Sequence, residues 1–326
     1  MYFRPALFLA SISFVAPVST TQSQVRDTLA PAVITATRVA VSSAAPTATT
    51  TVLRGDDLRA QGITRVVDAL RLVPGATIVA SGAIGSQTSL FLRGGNSNYV
   101  RVLVDGVAIN DAGGSLDFAN LTTDNLDRIE IVRGPASVLY GSDAVAGVIQ
   151  LFTRDGHGTF TTRSLVGGGN QGSVRAELGA SGGDARLGFS LLGAHQATNG
   201  MLAFNNRYVS DVLSGTLRVA PNAQTDIRIA GRWSGATYHY PTAYDGSVTE
   251  HNAEQTDHRF TLSADGGRKI TDRVELRTTL ASNEFLPRSN DGPDSPGDTL
   301  GFYGFYSRSV RTRRTADVRQ IGRAHV

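Results

Sequence analysis

The sequence predicts a mixed α+β domain followed by antiparallel transmembrane β-barrel strands that do not amount to a complete barrel. Three observations predict it. Helical periodicity is confined to residues 51–155. After Thr159 apolar and polar residues alternate strictly, one face against the other. The connections between these later segments alternate between short turns and long polar loops.

The N-terminus reads as an export signal over residues 1–22. Arg4 and the α-amino group precede the apolar stretch PALFLASISFVAPV (5–18), and polar STTQSQ follows. Residues 23–50 form a Ser-, Thr-, Ala- and Pro-rich linker. One patch within it, AVITATRV (32–39), groups Val33, Ile34 and Thr35 in an extended-favouring run.

Residues 51–155 carry mixed elements. TVLRGDDLRAQG suggests a strand and a short helix capped by Asp56 or Asp57. TRVVDALRLVPG (64–75) reads as a helix capped by Thr64, with Val66, Leu70 and Val73 on one face and Pro74-Gly75 as its stop. NYVRVLVDGVAIND (98–111) is a β-hairpin whose Asp105-Gly106 pair supplies the positive φ angles of a tight turn. Strands are expected at 90–93, 129–133 and 147–153, with a helical turn around Ala136–Tyr140.

Residues 159–320 repeat one pattern. SVRAELGAS (173–181) sets Val174, Ala176, Leu178 and Ala180 against Arg175 and Glu177. Leu187, Phe189 and Leu191 oppose Arg186 and Ser190; Ile227, Ile229 and Trp233 oppose Asp226, Arg228 and Arg232. About eight such strands reach the end of the chain. In hydrocarbon every backbone group must be paired, so a spanning sheet has one lipid face and one wet face. Arginine at mid-depth on the lipid face is expensive, which assigns Arg228 and Arg232 to the lumen. Trp233, Tyr238 and Tyr240 suit either an interfacial girdle or loop anchors.

Composition narrows the function. The formal charge is +3 and the pI about 9.4, with a single lysine, Lys269, and no basic block, so nucleic acid is not an expected partner. Cysteine is absent, which removes disulfides and thiolate metal sites. Mean hydropathy is −0.10, and past the N-terminus no apolar run is long enough for a transmembrane helix. No phosphate-binding loop, His-Glu-x-x-His or Gly-x-Ser-x-Gly motif is present, and the histidines show no metal spacing, so an enzyme is not expected. A passive porin or adhesin-like barrel accounts for the strands but not for the mixed domain before them.

In this order and spacing, DTLAPAVITATR (27–38), VVDALRLVPG (66–75), LFLRGGNSNYVRVLVDGVAIND (90–111) and LDRIEIVRGPASVLYGSDAVAGVIQLFTR (126–154) resemble the TonB-dependent outer-membrane receptors, and within them the cobalamin-receptor branch. The resemblance implies a plug over residues 51–155 inside a barrel of which residues 159–320 supply about eight of roughly 22 strands. It implies active transport of a scarce nutrient, cobalamin or an iron chelate, across the bacterial outer membrane. Residues Ala32, Val33, Ile34, Thr35, Ala36, Thr37 and Arg38 match the segment gripped by TonB, the inner-membrane energy-coupling partner. Such a segment suits strand addition to a partner's sheet edge. Arg93 and Arg133 match arginines that dock the plug to barrel glutamates. The loops SGAIGSQ (81–87) and NDAGGSLD (110–117) resemble the plug's apical loops, with Ser86, Gln87, Asn110 and Ser115 as candidate substrate contacts. No resident cofactor is implied beyond calcium in extracellular loops, for which Asp245 and Asp257 are sparse candidates. The last six residues, IGRAHV (321–326), depart from the strand pattern and are read as an artefactual tail on a gene fragment.

Overall fold

Two sheets of opposite character divide the chain. The computed structural model describes residues 32–33, 41–42, 49–242, 247–271, 273–294 and 304–322. Near the N-terminus β1 (Ala32–Val33) pairs antiparallel with β2 (Val41–Ser42). The rest of the expected TonB segment, Ile34 to Arg38, lies outside the described residues, as do the export signal and Asp245.

The mixed domain runs through β3 (Thr49–Arg54), α1 (Gly55–Ala60), α2 (Val66–Leu70), β4 (Ala76–Ala80), β5 (Thr88–Leu92), a 3-10 turn at Ser97–Tyr99, β6 (Val100–Val104), β7 (Val107–Ala108), β8 (Leu126–Arg133), α3 (Ser137–Tyr140) and β9 (Gly147–Thr153). Its main sheet has the order β3-β8-β9-β6-β7, and β4 and β5 form a separate hairpin. Val66, Leu70 and Val73 are buried together, as their spacing requires, against Ile129, Ile131, Ile149 and Leu151. The expected helix caps are corrected. Arg54 and Arg65 hold the N-cap positions without side-chain bonds, while Asp56 and Asp57 lie in the first turn of α1. There they meet the positive end of the helix.

The hairpin forms as expected. Asp105 has φ 49° and Gly106 φ 81°, the double left-handed turn that matches strand twist. The sequence gives no sign that β6 also pairs in parallel with β9. Parallel neighbours join through long crossovers, which leave no local trace.

The second sheet is an up-and-down meander of β10 (Gly158–Gly168), β11 (Val174–Gly183), β12 (Leu187–Thr198), β13 (Tyr208–Asn222), β14 (Thr225–His239), β15 (Glu254–Thr271) and β16 (Val274–Asp291). An eighth position is shared by β17 (Phe305–Arg308) and β18 (Arg311–Gly322), both paired with β16. The break falls opposite Pro287, which has no N–H to give the ladder and only accepts from Ser309. Ile321 and Gly322, the start of the expected tail, continue the β18 ladder opposite Glu275 and Val274. Among the described residues β10 and β18 do not pair, so the sheet is open. No described helix is long and apolar enough to cross a membrane, which says nothing of strands.

This sheet is inside out relative to a water-soluble one. Leu191 is 54 % exposed, Leu217 41 % and Leu280 55 %, whereas Glu177, Ser190, Thr216, Arg232 and Asn283 on the other face are buried. A soluble sandwich would reverse both assignments. The wet face is covered by the mixed domain, whose β7 touches β15 and β16 and whose β9 touches β13. Among the described residues the apolar face has nothing over it but its own rows of leucine, isoleucine and phenylalanine. Trp233 points outward and stacks on His258, as an interfacial residue does. Tyr238 turns inward and packs with Tyr208 and Tyr240.

Candidate functional site

The polar face of the meander grips the plug through a seam of buried hydrogen bonds and ion pairs. Arg228 on β14 donates from Nη2 to Asp105 (2.9 Å) and to the Thr153 carbonyl, and from Nε to Asp155 (2.7 Å). Asp105 thus serves twice, shaping the hairpin turn and accepting the wall's arginine. Arg232, four residues further along the same face of β14, donates to Thr122 Oγ1 and the Asp124 carbonyl. Arg175 on β11 pairs with Asp124 and Glu177. Asn125 holds φ 57°, and its amide meets Ser190 Oγ on β12 and Ser214 Oγ on β13. Buried ion pairs of this kind add little net stability but fix register, because a shifted strand would leave several charges unpaired.

Above the seam, at the long-loop end, a cavity of about 570 Å³ opens between plug and wall. Its plug side is Ser81 to Gln87 with Asp111 and Asp117; its wall side includes Tyr238, Gln255, Asp257, Phe285 and Arg311. Gly85 (φ 91°) lies so close to Tyr208 and Tyr238 that a Cβ would stand 2.6 Å from Tyr238. Only glycine lets this loop lie on the tyrosines. Burial raises the Asp117 carboxyl above the ordinary range, opposed by N–H groups of Ala119 and Thr88, and nearby Asp257 raises it further. Asp257 accepts from Asn120 of the plug (2.9 Å), and Arg311 pairs with Asp111, so the wall side of the cavity is tied to the plug at two points.

The expected site residues separate into groups. Ser86 and Gln87 line the cavity; the buried Ser86 hydroxyl has no partner among the described residues. Asn110 is instead bonded to Val100, Val102 and Gly114 of the plug, and holds the apical loop. Ser115 is exposed, and its carbonyl accepts from Asp111. Arg93 donates to Thr49, and Arg133 to Pro74 and Thr51, all within the plug. Both stand by the β3 edge, opposite the β7 edge that meets β15 and β16, so they reach no described strand of the meander. The calcium candidate Asp257 lies on β15 rather than in a loop, and its carboxylate is taken by Asn120 and Gln255.

Known proteins with this arrangement are numerous. The TonB-dependent receptor plug domain matches residues 43–148. The vitamin B12 transporter BtuB of Vibrio vulnificus is 32% identical over 302 residues, which is 89% of this chain and 48% of that protein. The chain belongs to the TonB-dependent receptors. It spans about half the length of the relative it matches. Among solved structures, the ferripyoverdine receptor of Pseudomonas aeruginosa superposes with a TM-score of 0.69 at 16% identity, covering 88% of this chain and 41% of that one. The siderophore receptor PiuA of Acinetobacter baumannii gives 0.66 at 15%, covering 86% and 43%. These likenesses establish the fold. Family membership and the exposed apolar face put the receptor in the outer membrane, and its relatives are transporters and receptors rather than enzymes.

Proposed function

We propose that this receptor takes part in TonB-dependent import of a scarce small nutrient, cobalamin or an iron chelate, across the outer membrane. One observation carries the reading: the wet face of a lipid-facing sheet is occupied by a hydrogen-bonded plug, with a cavity on the loop side. A passive pore needs an open lumen, and this plug is latched in place. Passage therefore requires work on the plug, and the outer membrane has no energy source of its own. Ala32 to Arg38 would supply the handle, since its β-branched run favours an extended conformation fit for strand addition to TonB. Ser86 and Gln87 would contact the nutrient from the plug side.

Uptake of labelled cobalamin and of a ferric chelate by cells that produce the receptor tests this. A protonophore should stop uptake and leave surface binding intact. Ile34→Pro or Thr35→Pro should do the same without the protonophore, because proline removes a donor from the added strand. Uptake that persists in the presence of protonophore would make the protein a passive pore.

A further inference from the structure

The outer wall carries arginines that no described residue neutralises. Arg288 on β16 and Arg308 on β17 are directly opposed in the ladder. Ser289 and Ser307 line the cavity, so by strand alternation these two arginines point outward, and both are exposed. Like charges directly opposite each other destabilise a sheet. Neither forms an ion pair among the described residues. Arg288 is held in place by the outward ring of Tyr306, 5.6 Å from its guanidinium carbon. Arg314, on the same face of β18 opposite Ser282, is a third. Among the described residues, the same face of β15 to β18 also bears two carboxylates. Glu284 stands opposite Thr312, and Glu254 lies beside His239.

Height fixes the surroundings of these charges. Leu280 and Ala316 face each other in an outward apolar row, and Arg314 stands in the next row toward the loop side, opposite Ser282. Arg288 lies eight residues beyond Leu280, about 27 Å along the strand. At the usual barrel tilt that is roughly 20 Å of height. Exposed Val310 and half-exposed Leu286 fill the interval below the Arg288–Arg308 pair. A vertical ladder of guanidinium, apolar and guanidinium groups therefore begins one row above Leu280 and Ala316.

We propose that Arg288, Arg308 and Arg314 dock the headgroup of an outer-leaflet glycolipid bearing phosphates at more than one level. Guanidinium forks bind phosphate oxygens bidentately, and one phosphate between Arg288 and Arg308 turns a repulsive pair into a bridged one. The inference rests on the sheet's membrane placement and not on nutrient uptake, so failure of either leaves the other standing.

The receptor, purified in mild detergent from outer membranes of cells that produce it, is analysed for retained glycolipid by native mass spectrometry. It is then stripped and titrated with the intact glycolipid and with the same glycolipid after enzymatic removal of its phosphates. The wild type should bind the intact form, and Arg288→Gln/Arg308→Gln should bind it roughly thirtyfold more weakly. Arg288→Lys/Arg308→Lys should keep most of the affinity, which separates lost charge from a damaged wall. Equal binding by the Gln variant, or equal binding of the dephosphorylated glycolipid, would overturn the assignment.

Discussion

Asn125 joins plug and wall with a single amide. Its Oδ1 accepts from Ser190 and its Nδ2 donates to Ser214, on two adjacent strands, from a left-handed backbone that asparagine tolerates better than most residues. Asn125→Ala should leave two buried hydroxyls without partners and destabilise the docked plug by about 2–3 kcal/mol. Thermal unfolding in detergent measures it, with protease cleavage of the plug as a second readout. Asp117 makes a pH-dependent prediction. Its carboxyl is raised by burial and by Asp257, so the folded chain holds that proton to higher pH than the unfolded chain. The stability gained is present below the ordinary carboxylate range, near 3.8, and is lost as pH rises through the raised value. Between about pH 4 and about pH 7 the unfolding temperature should fall less in Asp117→Asn than in the wild type. At this scale little of the site was legible. Arg228 and Arg232 could be placed on the wet face by alternation, but their partners Asp105, Asp155 and Asp124 are set by which plug loop meets which strand. Asn125, in TTDNLD, gives no local signal of its role.

The strands themselves were open to reading. A strand in lipid has a period of two and nothing else to obey, so the rows of Leu187, Phe189 and Leu191 or of Ile227 and Ile229 announce their face. The prediction that belongs here concerns β13. Leu217 faces out, whereas Thr216 and Arg218 beside it bond inward to the Arg154 carbonyl and to the Asp184 and Ala185 carbonyls. Leu217→Arg should cost about 2–4 kcal/mol if the row lies near the midplane. Chemical denaturation in lipid vesicles reads it, and an unchanged midpoint would place the row in water. Elements with less periodicity were harder. Two short helices lacked the expected caps because Arg54 and Arg65 leave extended strands or bridges directly into a turn, with no room for an Asx or Thr cap. The split between β17 and β18 follows from Pro287 on the neighbouring strand, a cause that cannot be seen within the split segment itself.

At the scale of the whole molecule the order of parts could be read from the sequence, and their mating could not. Signal, linker, mixed domain and two-faced strands succeed one another along the chain, so composition and period separate them. The fit between plug and wall depends on contacts between residues up to 200 positions apart, such as Arg311 with Asp111 and Arg259 with the Ile109 carbonyl. Such pairs leave no pattern in a single sequence. That fit is also uneven across the plug's main sheet. β6, β7 and β9, with the Asp105 turn and Asp155 beside them, are fastened to the wall by Arg228 and Arg259. β3, only six residues long, lies at the opposite margin and pairs in the sheet with β8 alone. It is also the first plug strand the chain enters from the linker. Traction applied upstream of Thr49 would thus meet the Thr49–Arg133 rung first and strip that margin one rung at a time, while the riveted strands stay seated.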